Sequence, residues 1–135
     1  MPRQLRTRPV SGAQARAYLS KAEEYLAAAE ESLKARRPIA ATSLAIHSAI
    51  NAADAVTGVR LGRRAAGYDH DEALSLLSQA GADGAEVARQ LSRLLLLKTK
   101  TEYEPDEIPP SVAEKAVERA RSCVVSARRV AAAMP

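Results

Sequence analysis

The sequence has no phenylalanine and no tryptophan, and four tyrosines are its only aromatic residues. A core of large rings is therefore excluded, and the interior has to be built from alanine, leucine, valine and isoleucine. Small side chains let helices approach closely, and alanine is the strongest helix former. Runs of alternating β-branched residues are missing, so no sheet is expected. A single cysteine, Cys123, excludes an intramolecular disulfide. It falls on the apolar side of an expected helix, where a thiol is buried and inert. No group of Cys and His has zinc-ligand spacing, and no P-loop or dinucleotide fingerprint occurs. Neither a metal nor a cofactor is expected. The longest purely aliphatic run, Leu94 to Leu97, is far too short to span a bilayer. The first residues lack the apolar stretch of a secretory signal. The expected setting is the cytoplasm, away from membranes.

What is present fits one soluble domain. The chain has 135 residues, with 47% hydrophobic and 27% charged side chains. The formal net charge is +4, and Arg3, Arg6 and Arg8 supply most of it from an acid-free start. A near-neutral body with a basic arm over residues 1–10 follows. That arm is either a flexible, solvated terminus or a phosphate contact.

Helical spacing organises residues 11–135. Ser11 is suited to N-cap a first helix running to about Ala35, with Ala15, Tyr18, Ala22, Tyr25, Leu26, Ala29 and Leu33 inward. Pro38 opens a second helix, which Gly58 is expected to end. The next stretch, Gly58 to Tyr68, is a glycine- and arginine-rich loop. A short third helix is expected from about Asp71 to Gln79, capped by Asp69 or His70. Asp83 then caps a fourth helix reaching about Thr101. A proline-rich loop precedes Ser111 and Glu114, which have capping-box spacing and open a fifth helix to about Ala133. The expected fold is all-α, a compact up-and-down bundle of four long helices plus one short helix.

The second helix is almost uncharged, as expected of a helix surrounded by others. Yet Ser43, His47 and Asp54 share a sector about 40° wide at about 100° per residue. Lys98 falls on the apolar side of the fourth helix, among Leu91, Leu94 and Leu95. A buried carboxylate needs a partner, so Lys98 is expected to approach Asp54 or His47. Tyr103 completes this expected buried polar network. The network serves either as an internal clamp that fixes helix register or as a ligand site.

At these residues the chain resembles the HEPN superfamily, small helical bundles of prokaryotic toxin–antitoxin and defence systems. Ala17-Tyr18-Leu19 to Ala27-Ala28 looks like the first helix of that family. Ala45-Ile-His-Ser-Ala-Ile-Asn-Ala-Ala-Asp54 looks like the second. Leu94-Leu-Leu-Leu-Lys-Thr-Lys-Thr-Glu-Tyr103 is similar to a later helix that turns basic and ends in tyrosine.

The resemblance implies a function in two forms. Catalytic relatives are metal-independent ribonucleases that carry an arginine, four to six residues, and then a histidine, in a cleft shared by two subunits. Here Arg64 and His70 are separated by five residues and Arg63 and His70 by six, so Arg64 and His70 are the candidate catalytic pair. Arginine stabilises phosphate charge and histidine moves protons near neutral pH. Ala65 follows Arg64 where the family usually has a polar residue, so binding is placed ahead of cleavage. In that reading the domain binds a nucleotide, a nucleic acid or a partner protein. Arg60, Arg63 and Arg64 would then hold phosphate. The implied partners are a second copy of the chain, RNA or a nucleotide, and an antitoxin or nucleotidyltransferase. Leu96 and Leu97 fall outside the main apolar sector of their helix and would pack on the fifth helix or form a subunit interface.

Overall fold

The computed structural model describes residues 5–67 and 70–135. Its elements are β1 (Thr7–Pro9), α1 (Gly12–Lys34), α2 (Pro38–Leu61), β2 (Arg63–Ala65), α3 (His70–Ser78), α4 (Gly81–Leu95), α5 (Lys98–Tyr103) and α6 (Pro110–Ala132). The fold is all-α, with one small antiparallel ladder, β1–β2, added to it. Arg3 of the arm, and Asp69 as a cap for α3, lie outside the described residues.

The central element is α2. It is long and apolar enough to cross a membrane by length and composition. Here that surface is covered by protein: α1, α4 and α6 pack around it, and Ala41, Ala45, Ile46, Ala49, Ala52 and Val56 are buried. Its small polar residues are satisfied internally. The Ser48 hydroxyl donates to the carbonyl of Ala22 across the α1–α2 contact at 2.7 Å. The Thr42 hydroxyl and the Asn51 amide donate back to the carbonyls of Pro38 and His47 in the preceding turn. The seam between α1 and α2 is lined by Ala22, Ala29, Ala41, Ala45 and Ala49, which is how a chain with four rings closes a tight core.

Several boundaries differ from those expected. The second helix continues past Gly58 to Leu61, and Gly62, with φ of 69°, is its left-handed C-cap. Gly58 is there for a different reason. A Cβ at that position would stand 2.7 Å from Cγ1 of Val10, which packs directly onto it. That contact tethers the arm. Val10 is buried, its N–H donates to the carbonyl of Gly62, and Thr7, Arg8 and Pro9 pair with Ala65, Arg64 and Arg63. Residues 7–10 of the arm expected to be flexible are thus tied to the bundle, because Thr7–Pro9 finds a strand partner. Pro9 fits because the bonds at Val10–Gly62 and Arg6–Ala66 leave it at a position that needs no N–H.

The fourth helix also differs, breaking after Leu95 and resuming as α5 at Lys98. Among the described residues, four longer helices and two short ones result. Ser11 does cap α1, with a full capping box through Gln14. Ser111 and Glu114 form none, since Pro110 at N1 starts α6 one residue earlier and Pro109 is the N-cap. Asp83 lies in the first turn of α4 rather than at its cap, and it bridges Arg60 of α2 and Arg129 of α6.

Candidate functional site

A cleft of about 250 Å³ opens where α2, β2, α3 and the α4–α5 break meet. Its floor is α2, through His47, Ile50, Ala53 and Asp54. One wall is Arg64 and Ala65 of β2, another is His70 and Ala73 of α3, and Leu91 and Lys98 close it. His47 and Asp54 of the polar stripe and the Arg64–His70 pair, far apart in sequence, therefore face the same space. The reason is local. The C-cap at Gly62 reverses the chain, so that β2 runs back beside the helix that carries His47 and Asp54.

Each polar group has a defined neighbour. Lys98 Nζ lies 3.4 Å from Nε2 of His70. The hydrogen-bonding partner of Lys98 is thus His70, not Asp54 or His47 as expected, although all four line the cleft. Ending α4 at Leu95 redirects Lys98 toward α3. His47 Nε2 stands 3.4 Å from Glu102 Oε1, and its ring stacks on Tyr25 with centroids 5.5 Å apart. Arg64 lies over the Tyr18 ring at 5.9 Å and donates to the carbonyl of Ala65. Burial raises the Asp54 carboxyl from its ordinary 3.8 to about 6, while the charges of Arg64 and Lys21 pull it back down.

The expected buried network is only partly assembled. Asp54, His47 and Lys98 are half-buried around the cleft rather than sealed in the core. Ser43 lines a separate shallow groove with Ile39, Thr101 and Glu102. Tyr103 is 74% exposed, because the redirected α5 turns it outward. The three candidate phosphate arginines also part company. Arg64 lines the cleft, whereas Arg60 pairs with Asp83 at 3.5 Å and Arg63 donates to Gln79 at 3.2 Å. Strand alternation separates Arg63 from Arg64, since neighbours on β2 point to opposite faces. The residues missed by sequence reasoning are Tyr18, Tyr25 and Glu102. The two tyrosines sit seven apart on one helix face, a spacing that reads equally well as core.

The arrangement combines two fixed cations, Arg64 and Lys98, with two imidazoles and one carboxyl whose ionisation falls near 6. Cations of this kind hold a phosphate, and imidazoles at that distance can move protons to and from it. Among the described residues, no three His, Cys, Asp or Glu side chains gather to hold a metal ion.

No curated protein matches the chain. The HEPN domain, however, matches residues 15–131, which takes in α2 to α5, nearly all of α1 and α6, and every residue of the cleft. With that match extending over most of its length, the chain belongs to the HEPN domain family.

Proposed function

We propose that this HEPN domain binds RNA, and that a backbone phosphate sits in the cleft between Arg64, Lys98 and His70. The observation that carries the reading is the meeting of Arg64 and Lys98 beside two imidazoles in one concave site. A guanidinium on a short strand and an ammonium at a helix start are positioned by backbone, so little order has to be gained on binding. The family is one in which RNA binding and RNA cleavage are common, which supports the same ligand.

A second reading, cleavage, is favoured by the Lys98–His70 contact. An ammonium can only donate, so the contact requires an unprotonated Nε2 on His70. Once a bound phosphate draws Lys98 onto its oxygens, that nitrogen is free to accept the proton of a ribose 2′-hydroxyl. The O2′ atom then attacks phosphorus, the P–O5′ bond breaks, and a protonated His47 returns a proton to O5′. The products are a 2′,3′-cyclic phosphate and a 5′-hydroxyl. Arg64 would neutralise the charge that grows on the non-bridging oxygens. Leu96, 81% exposed and two residues before Lys98, suits a second copy of the chain that would complete the cleft.

Fluorescence anisotropy with a labelled single-stranded RNA tests the binding. Arg64→Ala is expected to weaken it about tenfold or more. Equal affinity of wild type and variant would overturn the reading. Cyclic-phosphate ends made by the wild type and absent with His70→Ala would establish cleavage in addition.

A further inference from the structure

We propose that the groove between β1 and α1 is a second nucleotide subsite, in which Arg8 and Arg64 share an RNA phosphate next to the one in the cleft. The proposal rests on the RNA-binding reading above and extends it to residues ahead of the family match, which begins at residue 15.

The first observation is the register of the ladder. Arg8 stands directly opposite Arg64 on the two strands. Residues paired in this way project from the same face, and like charges placed so work against the ladder. Arg8 is exposed and makes no ion pair among the described residues. No acidic side chain lines the groove beside the two arginines. An anion between them would turn a repulsive pair into two charge-assisted contacts.

The second observation is the groove itself. Arg8, Val10, Gln14, Tyr18 and Arg64 line a concavity of about 440 Å³. Arg64 lines both this groove and the His70 cleft, so the two spaces adjoin through one side chain. That is the relation expected of consecutive nucleotides on one strand. The groove also has groups that suit a base. Gln14 is held by the capping box, its Oε1 accepting from the Ser11 N–H, which leaves its NH2 as a donor. Tyr18 lies under the Arg64 guanidinium, and a base would stack on that ring face once Arg64 turns to the phosphate. A mononucleotide would occupy the cleft alone, whereas two or more linked nucleotides would occupy both.

The test compares binding of uridine monophosphate and of a single-stranded hexanucleotide to the full chain, with Arg8→Gln, Arg8→Lys and the distant surface variant Arg93→Gln. The expected result is that Arg8→Gln weakens the hexanucleotide about three- to tenfold. Its salt slope should fall by about 0.7, the share of one phosphate on a single strand. Arg8→Lys should restore most of the affinity, and the monophosphate should bind all Arg8 variants equally. Arg93→Gln should leave the hexanucleotide within about twofold, as a loss of general charge would not. If wild type binds the hexanucleotide and Arg8→Gln binds it equally well, the subsite is overturned while RNA binding stands. If the monophosphate weakens as much as the hexanucleotide, Arg8 belongs to the cleft and the proposal also fails. If wild type binds no RNA, both readings fall together.

Discussion

Lys98 Nζ stands 3.4 Å from Nε2 of His70, joining the first residue of α5 to the first residue of α3. A charge and a titratable ring are thus brought together by two helix starts. Because the ammonium donates, the ring proton is confined to Nδ1 while the contact holds. Lys98→Met keeps most of the length of the side chain and removes the donor. It should shift the imidazole nitrogen resonances of His70 toward a mixture of tautomers and weaken RNA binding about tenfold. Nitrogen-15 spectra and anisotropy measure the two effects, and an unchanged spectrum would show that Lys98 does not set the tautomer.

Asp54 gives stability a defined pH dependence. Burial raises its carboxyl from 3.8 to about 6, so between these values the folded state holds a proton that the unfolded state has lost. Stability is therefore highest below 3.8 with respect to this group and falls as pH rises through 6. The shift corresponds to about 3 kcal/mol at most once both states are ionised. Asp54→Asn should raise the thermal midpoint at pH 7.5, and the two proteins should converge near pH 4. Protonation of Asp54 also removes a negative charge from the cleft, so RNA affinity should rise as pH falls through 6. That rise should be smaller in the variant. A midpoint difference that is the same at both pH values would rule out ionisation as its source.

Much of the fold was legible because its signals are local. Alanine content, Pro38 and the helical stripe of α1 act over one or two turns, and all three appear where sequence placed them. The break after Leu95 was not legible, since Leu94-Leu-Leu-Leu97 continues the apolar pattern without a glycine or proline. The β1–β2 ladder is too short for a periodic signal and depends on Val10 meeting Gly58, a contact across 48 positions of sequence. The cleft divides in the same way. The phase of His47 and Asp54 on α2, and the spacing of Arg64 and His70, were both readable. Their meeting was not, because it follows from the reversal at Gly62, which sequence assigned to an open loop. Lys98 lines the cleft, but its partner there is His70, because the break after Leu95 redirects it toward α3.

Gly58 ties the N-terminal strand to the bundle. A Cβ placed there would meet Val10 Cγ1 at 2.7 Å and the Ala15 Cβ at 3.1 Å. Val10 is β-branched and cannot turn its methyl groups away cheaply. Gly58→Ala should therefore displace β1 and cost about 1–3 kcal/mol by overpacking, despite alanine's better helix propensity. The loss appears as a lower denaturation midpoint and faster amide exchange at Val10. Adding Val10→Ala should recover part of it. A variant more stable than wild type would mean that helix propensity outweighs the contact.

Cys123 reports on opening of the core. It is fully buried on α6, and burial, with a smaller contribution from Glu86, pushes its thiol up to about 12. Only the thiolate reacts with disulfide reagents, so the native protein presents neither access nor the reactive form. Labelling by an aromatic disulfide at pH 8 should be slower than for a free thiol by several orders of magnitude. Its rate should follow the population of unfolded chains and rise with denaturant. Core variants shift that population directly. Leu94→Ala, at a fully buried position of the α4 face, should cost about 2–5 kcal/mol and speed the labelling at least tenfold. Arg93→Gln, on the exposed side of the same helix, should leave the rate near that of wild type. If native Cys123 reacts as fast as a free thiol, α6 opens locally. In that case the labelling should be insensitive to Leu94→Ala, which separates local fraying from global unfolding.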